Sequence, residues 1–125
     1  MLYLAWRNFD TTRRTMAFYR SLYRESNPDW VRTQEAFSEM ARFGHEQGVP
    51  VLLALYPLLF QLDVYPFRDL HERVATAARA AGLEVVDLLP AFRTYKGPDL
   101  WVHPADQHPN ERAQQLAAAA LAGAL

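Results

Sequence analysis

Cysteine is missing from all 125 positions, which excludes disulfides, thiolate metal sites and a cysteine nucleophile, and leaves the redox compartment open. Serine is almost as scarce: Ser21, Ser26 and Ser38 are the whole supply, and all lie in the first third. No apolar run approaches the roughly 18 residues that a bilayer-spanning helix needs. The opening MLYLAWRNFDTTRR is apolar first and basic second, the reverse of a secretory signal. As it stands the sequence predicts a soluble, cytoplasmic chain, although a leader on a longer parent protein would not be visible in it. Charge of one sign is also lacking. A formal net charge of −1 gives no general reason to expect nucleic acid as a partner.

What is present is apolar material: half the residues are hydrophobic, enough for a single core in a chain of this length. With no repeat or low-complexity linker, residues 1–125 read as one α/β domain, helical over 1–48 and a strand–helix–strand unit with a following loop and helix over 49–125. Positive charge gathers early, in Arg7, Arg13, Arg14, Arg20 and Arg24, against Asp10 and Glu25. A solvated helix face accounts for that pattern; a docking surface for an acidic partner is the alternative.

Residues 2–24 read as a first helix, with Thr15, Phe18, Tyr19, Leu22 and Tyr23 at helical spacing. Asn27 before Pro28 is a helix start, since Asn accepts from free amides and Pro fits the first helical position. Trp30, Gln34, Phe37, Met40, Ala41 and Gly44 mark one face of that second helix, and Gly48 suits a left-handed stop. VPVLLALYP, 49–57, is a continuous apolar run that predicts a strand buried on both faces. Pro66 opens a third helix with a face of Phe67, Leu70, Val74, Ala77, Ala78 and Ala81, closed by Gly82. LEVVDLL, 83–89, predicts a second strand parallel to the first. The last helix starts near Pro109 and buries Ala113, Leu116, Ala117, Ala120, Leu121 and Ala124. Two strands are few for a parallel sheet and leave edges for a helix or another copy to cover, which predicts a homo-oligomer.

The chemistry-bearing stretch is WVHPADQHPN, 101–110. Pro109 at the first helical position places His108 at the N-cap, with Asp106 two residues earlier in the loop. In extended backbone, positions i and i+2 point the same way, so the Asp106 carboxylate reaches one His108 ring nitrogen and fixes the tautomer. The other nitrogen is then a general base. The 90–108 loop follows the carboxyl end of the second strand, where open α/β sheets bind ligands. The plain alternative is helix punctuation. His103 reads as an exposed loop residue that could support the site, and a metal shared by His103, Asp106 and His108 matches no trusted spacing. His45 and His71 read as solvated helix residues, and Asp87 as a strand-end cap able to orient the loop.

DQHPN followed by an alanine-rich helix resembles the last block of the SGNH (GDSL-type) hydrolases, in its Asp-x-His-Pro-Asn form. The likeness extends upstream through GVPVLLALYP and GLEVVDLLPAF. It implies the final two strands of a flavodoxin-like sheet, with Asp106 and His108 as the acid and base of a serine esterase or acyl hydrolase acting on a small ester without a cofactor. The first 45 residues are similar in style to a helical insert that some members carry. The Gly-Asp-Ser block that supplies the nucleophile, and the Gly and Asn blocks of the oxyanion hole, are absent. The expectation is therefore a truncated hydrolase, weak or inactive alone; an inactive remnant or self-assembling module is the alternative, and a sequence cut from a longer reading frame is a third.

Overall fold

The computed structural model describes residues 13–124, so residues 2–12 of the expected first helix lie outside it. The chain divides into a unit ending at Ala36 and a unit beginning at Phe37. In the first, residues 13–22 form α1, and the Tyr23 and Trp30 rings meet at 5.4 Å between centroids. Helix α2, Pro28–Gln47, runs through the boundary. Asn27 starts it as its neighbour Pro28 leads one to expect: Asn27 Oδ1 accepts the Asp29 amide at 2.9 Å. Gly48 ends it at φ 66°, a left-handed backbone that suits glycine.

The second unit continues with β1 (Leu52–Leu55), α3 (Arg68–Ala80), β2 (Glu84–Asp87), the short α4 (Leu89–Phe92), a 3-10 turn (Gly97–Leu100), β3 (Trp101–His103), β4 (Asp106–Pro109) and α5 (Glu111–Ala124). Helix and strand are thus mixed, as α/β content requires. Strands β1 and β2 pair in parallel, from Leu52 opposite Glu84 to Leu55 opposite Asp87, and α3 joins and packs on both. Gly82 closes α3 at φ 99°.

Three expectations about the strands and the 101–109 loop need correction. The first strand spans 52–55 rather than 49–57, because Pro50 and Pro57 have no amide for the ladder. Nor is it buried on both faces: Ala54 is exposed and its neighbours are half-buried, since a sheet two strands wide is incompletely covered. The second strand stops at Asp87, where the chain turns into α4. The third correction is at 101–109, expected as a loop. It is an antiparallel hairpin, with Trp101 opposite Pro109, His103 opposite Asp106, and a register shift between them.

The core of this unit gathers Leu59, Leu62, Tyr65, Phe67, Leu83, Leu88, Leu89, Phe92 and Leu100 with the small faces of α3 and α5. On α5, Ala113 and Ala117 are buried as expected, with Leu116, Ala120 and Leu121 half-buried. On α3 the buried stripe is rotated from the expected one: Phe67, His71, Ala75 and Ala78 are buried, while Leu70, Val74, Ala77 and Ala81 are half-buried. Among the described residues no helix is long and apolar enough to cross a membrane.

Candidate active site

Two contacts set the hairpin in place. The Trp101 indole donates to the Leu59 carbonyl at 2.7 Å, tying β3 to the segment that follows β1. The same carbonyl lies so close to Gly97 that a Cβ there would sit 2.1 Å from it. Glycine at 97 is therefore what lets the turn before the hairpin approach the Leu59 backbone. Asn110 then joins the hairpin to α5. Its Nδ2 donates to the carbonyls of Asp99 (3.0 Å) and Trp101 (3.2 Å), and its Oδ1 accepts the Ala113 amide at 3.0 Å.

That last bond corrects the expected role of His108. Asn110 caps α5, and His108 lies in β4 two residues before it. The cap falls at 110 because the Asn side chain reaches the Ala113 amide three positions on, the usual N-cap reach, while Pro109 still pairs with Trp101. His108 is thereby released from capping, and its ring is available for other contacts.

Asp106 and His108 do meet. One carboxylate oxygen, Asp106 Oδ1, takes both the His108 ring Nδ1 at 2.5 Å and the His108 amide at 3.1 Å. An ionised carboxylate only accepts, so Nδ1 carries the proton, and in the neutral form of the ring Nε2 carries the lone pair. The two bonds from His108, ring first, hold the Asp106 carboxyl below its ordinary value of 3.8. The His108 side chain is 86% exposed and that of Asp106 48%. The extended backbone of β4 is what places i and i+2 together.

The hairpin turn forms one wall of an open groove of about 560 Å³, through Ala105, Asp106, Gln107, His108 and Pro109. The opposite wall is Tyr56, Pro57, Leu58 and Leu59, the chain leaving the carboxyl end of β1. Sheets of this kind bind ligands outside such ends. Tyr56 rests against the buried Phe92 ring at 5.0 Å, and burial pushes its hydroxyl pKa up. None of the three serines lines the groove. Ser21 donates to the Phe18 carbonyl at 2.6 Å, and Ser38 is exposed on α2.

His103 is exposed, as read from sequence, and its Nδ1 accepts the Ala105 amide at 3.1 Å across the hairpin turn. Among the described residues no three His, Asp or Glu side chains gather as a metal ion would require, those of the hairpin included.

The pair that sequence reading missed lies elsewhere. His71, expected to be solvated, is buried, and its Nδ1 meets Asp87 Oδ1 at 2.8 Å. The same oxygen accepts the Leu89 amide at 2.9 Å and so starts α4. Burial works to raise the Asp87 pKa. The bonds from His71 and Leu89, with the charges of His71 and Arg68, outweigh it and hold the carboxyl below 3.8. Tyr65 stacks edge-on against His71 at 5.2 Å, and its hydroxyl accepts the Leu58 amide at 3.0 Å. The signal is present in the residues: Phe67, His71, Ala75 and Ala78 keep helical spacing, with an Asp at the end of the next strand.

No family model, curated protein or solved structure matches the chain.

Proposed function

We propose that this chain carries the acid–base part of an acyl-hydrolase site of the SGNH kind. In this reading β1, α3 and β2 are the last two strands and connecting helix of a flavodoxin-like sheet. The observation that carries it is the Asp106 Oδ1–His108 Nδ1 bond at the rim of a groove beyond the carboxyl end of β1. Asp106 holds the tautomer and offsets positive charge as the ring takes a proton; Nε2 is the base. The Tyr56–Leu59 wall, mostly apolar, suits the acyl portion of a small ester. Since no serine lines the groove, hydrolysis by the chain alone is slow. The test is p-nitrophenyl acetate hydrolysis by the purified chain and its His108→Ala variant. A slow rate that disappears in the variant supports the reading; equal rates in the two proteins overturn it.

A further inference from the structure

We infer that His108 Nε2 is itself a nucleophile toward activated esters, so that the chain has a serine-independent acyl-transfer activity. The inference rests on the acyl-hydrolase reading for its substrate class, and changes what the imidazole does. Four observations lead to it. The ring is 86% exposed, so an ester carbonyl reaches Nε2 without any rearrangement. Nδ1 is engaged by Asp106, which leaves the Nε2 lone pair as the ring's outward group. Asp106 Oδ1 also takes the His108 amide, so backbone and ring are referenced to the same carboxylate oxygen and the ring direction is fixed. The groove beside it is walled by Tyr56, Pro57, Leu58 and Leu59, and none of the described residues that line it is a serine or threonine for His108 to activate.

In the step, the Nε2 lone pair attacks the ester carbonyl, a C–N bond forms, and the C–O bond to the phenol breaks. The phenolate leaves with that electron pair. The acyl-imidazolium keeps its Nδ1 proton, hydrogen-bonded to the Asp106 carboxylate, whose negative charge balances it. Water then adds to the acyl carbon and the C–N bond breaks. The carboxylic acid leaves with one water proton, the other passes to solvent, and the neutral ring is restored. No further reactant is needed. The substrate class is an ester with a good leaving group and a small acyl part, because the step expels the leaving group as an anion without first protonating it.

The experiment uses the full chain, its His108→Ala variant and a variant with Ser21, Ser26 and Ser38 all changed to Ala. Circular dichroism first checks that each is folded. With p-nitrophenyl acetate, His108→Ala loses about tenfold or more, less than the roughly 10²-fold or more that a positioned general acid or base supplies, while the serine-free variant keeps the parent rate. With the hindered p-nitrophenyl trimethylacetate, whose acyl group is released slowly, acid quenching and peptide mass spectrometry find the acyl group on the peptide containing His108. If the serine-free variant is inactive, or the acyl group sits on a serine, the inference is overturned and the general-base reading stands. The inference is equally overturned if activity needs His108 but no adduct forms and the rate falls two- to threefold in heavy water, the mark of base-assisted attack by water. If His108→Ala is as active as the parent, both readings fall together.

Discussion

Among the described residues are two Asp–His pairs with nearly the same bonding and opposite surroundings. In each, one carboxylate oxygen accepts an imidazole Nδ1 and a backbone amide: His71 and Leu89 at Asp87, the His108 ring and amide at Asp106. The side chains of His71 and Asp87 are 11% and 34% exposed; those of His108 and Asp106 are 86% and 48%. Local geometry therefore does not distinguish the pair that ties elements together from the pair proposed to react. Burial does. His71 and Asp87 tie α3 to the end of β2, and through Tyr65 they reach the Leu58 amide on the groove wall. The ring there has no open side from which a substrate could approach. Among the described residues, the bonds of the Asp106 and His108 side chains stay within their own strand, so they tie no two elements together.

The sharpest way to break this contrast is to remove the buried ring. His71→Ala leaves a cavity beside Tyr65 and strips Asp87 of a partner, and it is expected to cost about 2–4 kcal/mol of unfolding free energy in urea. The acid limb offers a second measurement. The Asp87 carboxyl titrates lower in the folded chain than its ordinary 3.8, so its contribution is complete above that value and is lost as pH falls through the folded one. Asp87→Asn should flatten the stability profile in that acid range, because the Asn cannot titrate. A profile identical to the parent's would show that the pair does not couple to folding.

The next effect in size concerns the groove's frame rather than either pair. Gly97→Ala would drive a Cβ to 2.1 Å from the Leu59 carbonyl oxygen, a backbone atom that cannot rotate away. The chain must shift, at about 1–3 kcal/mol, as for other overpacked sites. The shift strains the Trp101 indole bond to the same carbonyl. A blue-shifted, weaker signal from Trp101 is not separable from the other tryptophans by emission alone. Urea denaturation is therefore the measurement, with loss of groove-dependent ester hydrolysis as the accompanying sign. Unchanged stability would mean the approach at Gly97 is not what sets the hairpin.

Much of this is legible in the residues. The caps and stops at Asn27, Gly48 and Gly82 have strong local chemistry, and they fall where the pattern places them. The parallel pairing of 52–55 with 84–87 follows from two short apolar runs separated by a helix. The contact of Asp106 with His108 follows from the i, i+2 rule in extended backbone. What is hidden depends on tertiary context. The hairpin at 101–109 carries two prolines and little β-branched material, and it is held largely by the Trp101 and Asn110 side chains. The cap lies at Asn110 rather than His108 because Pro109 stays in the strand. His71 escapes a reading by pattern because a polar residue within an apolar stripe is acceptable only if a partner waits, and Asp87 lies sixteen positions away. Periodicity alone does not supply that partner.

The smallest expected effect on stability is the one that tests the contrast from its other side. His108 is exposed, its ring bonds only to Asp106 among the described residues, and both residues lie on one strand. Asp106→Asn keeps an oxygen able to accept from Nδ1 and removes the negative charge that balances a cationic ring. Its urea midpoint should match the parent's within error, and so should that of His108→Ala. Their ester hydrolysis should not match: Asp106→Asn falls only part of the way, since the ring direction survives and the charge does not, whereas His108→Ala falls to the background. The buried pair should behave in the reverse order, with stability lost first and reactivity only through it. If Asp106→Asn or His108→Ala shifts the midpoint as far as His71→Ala does, the exposed pair is a fold element after all, and the division between the two is wrong.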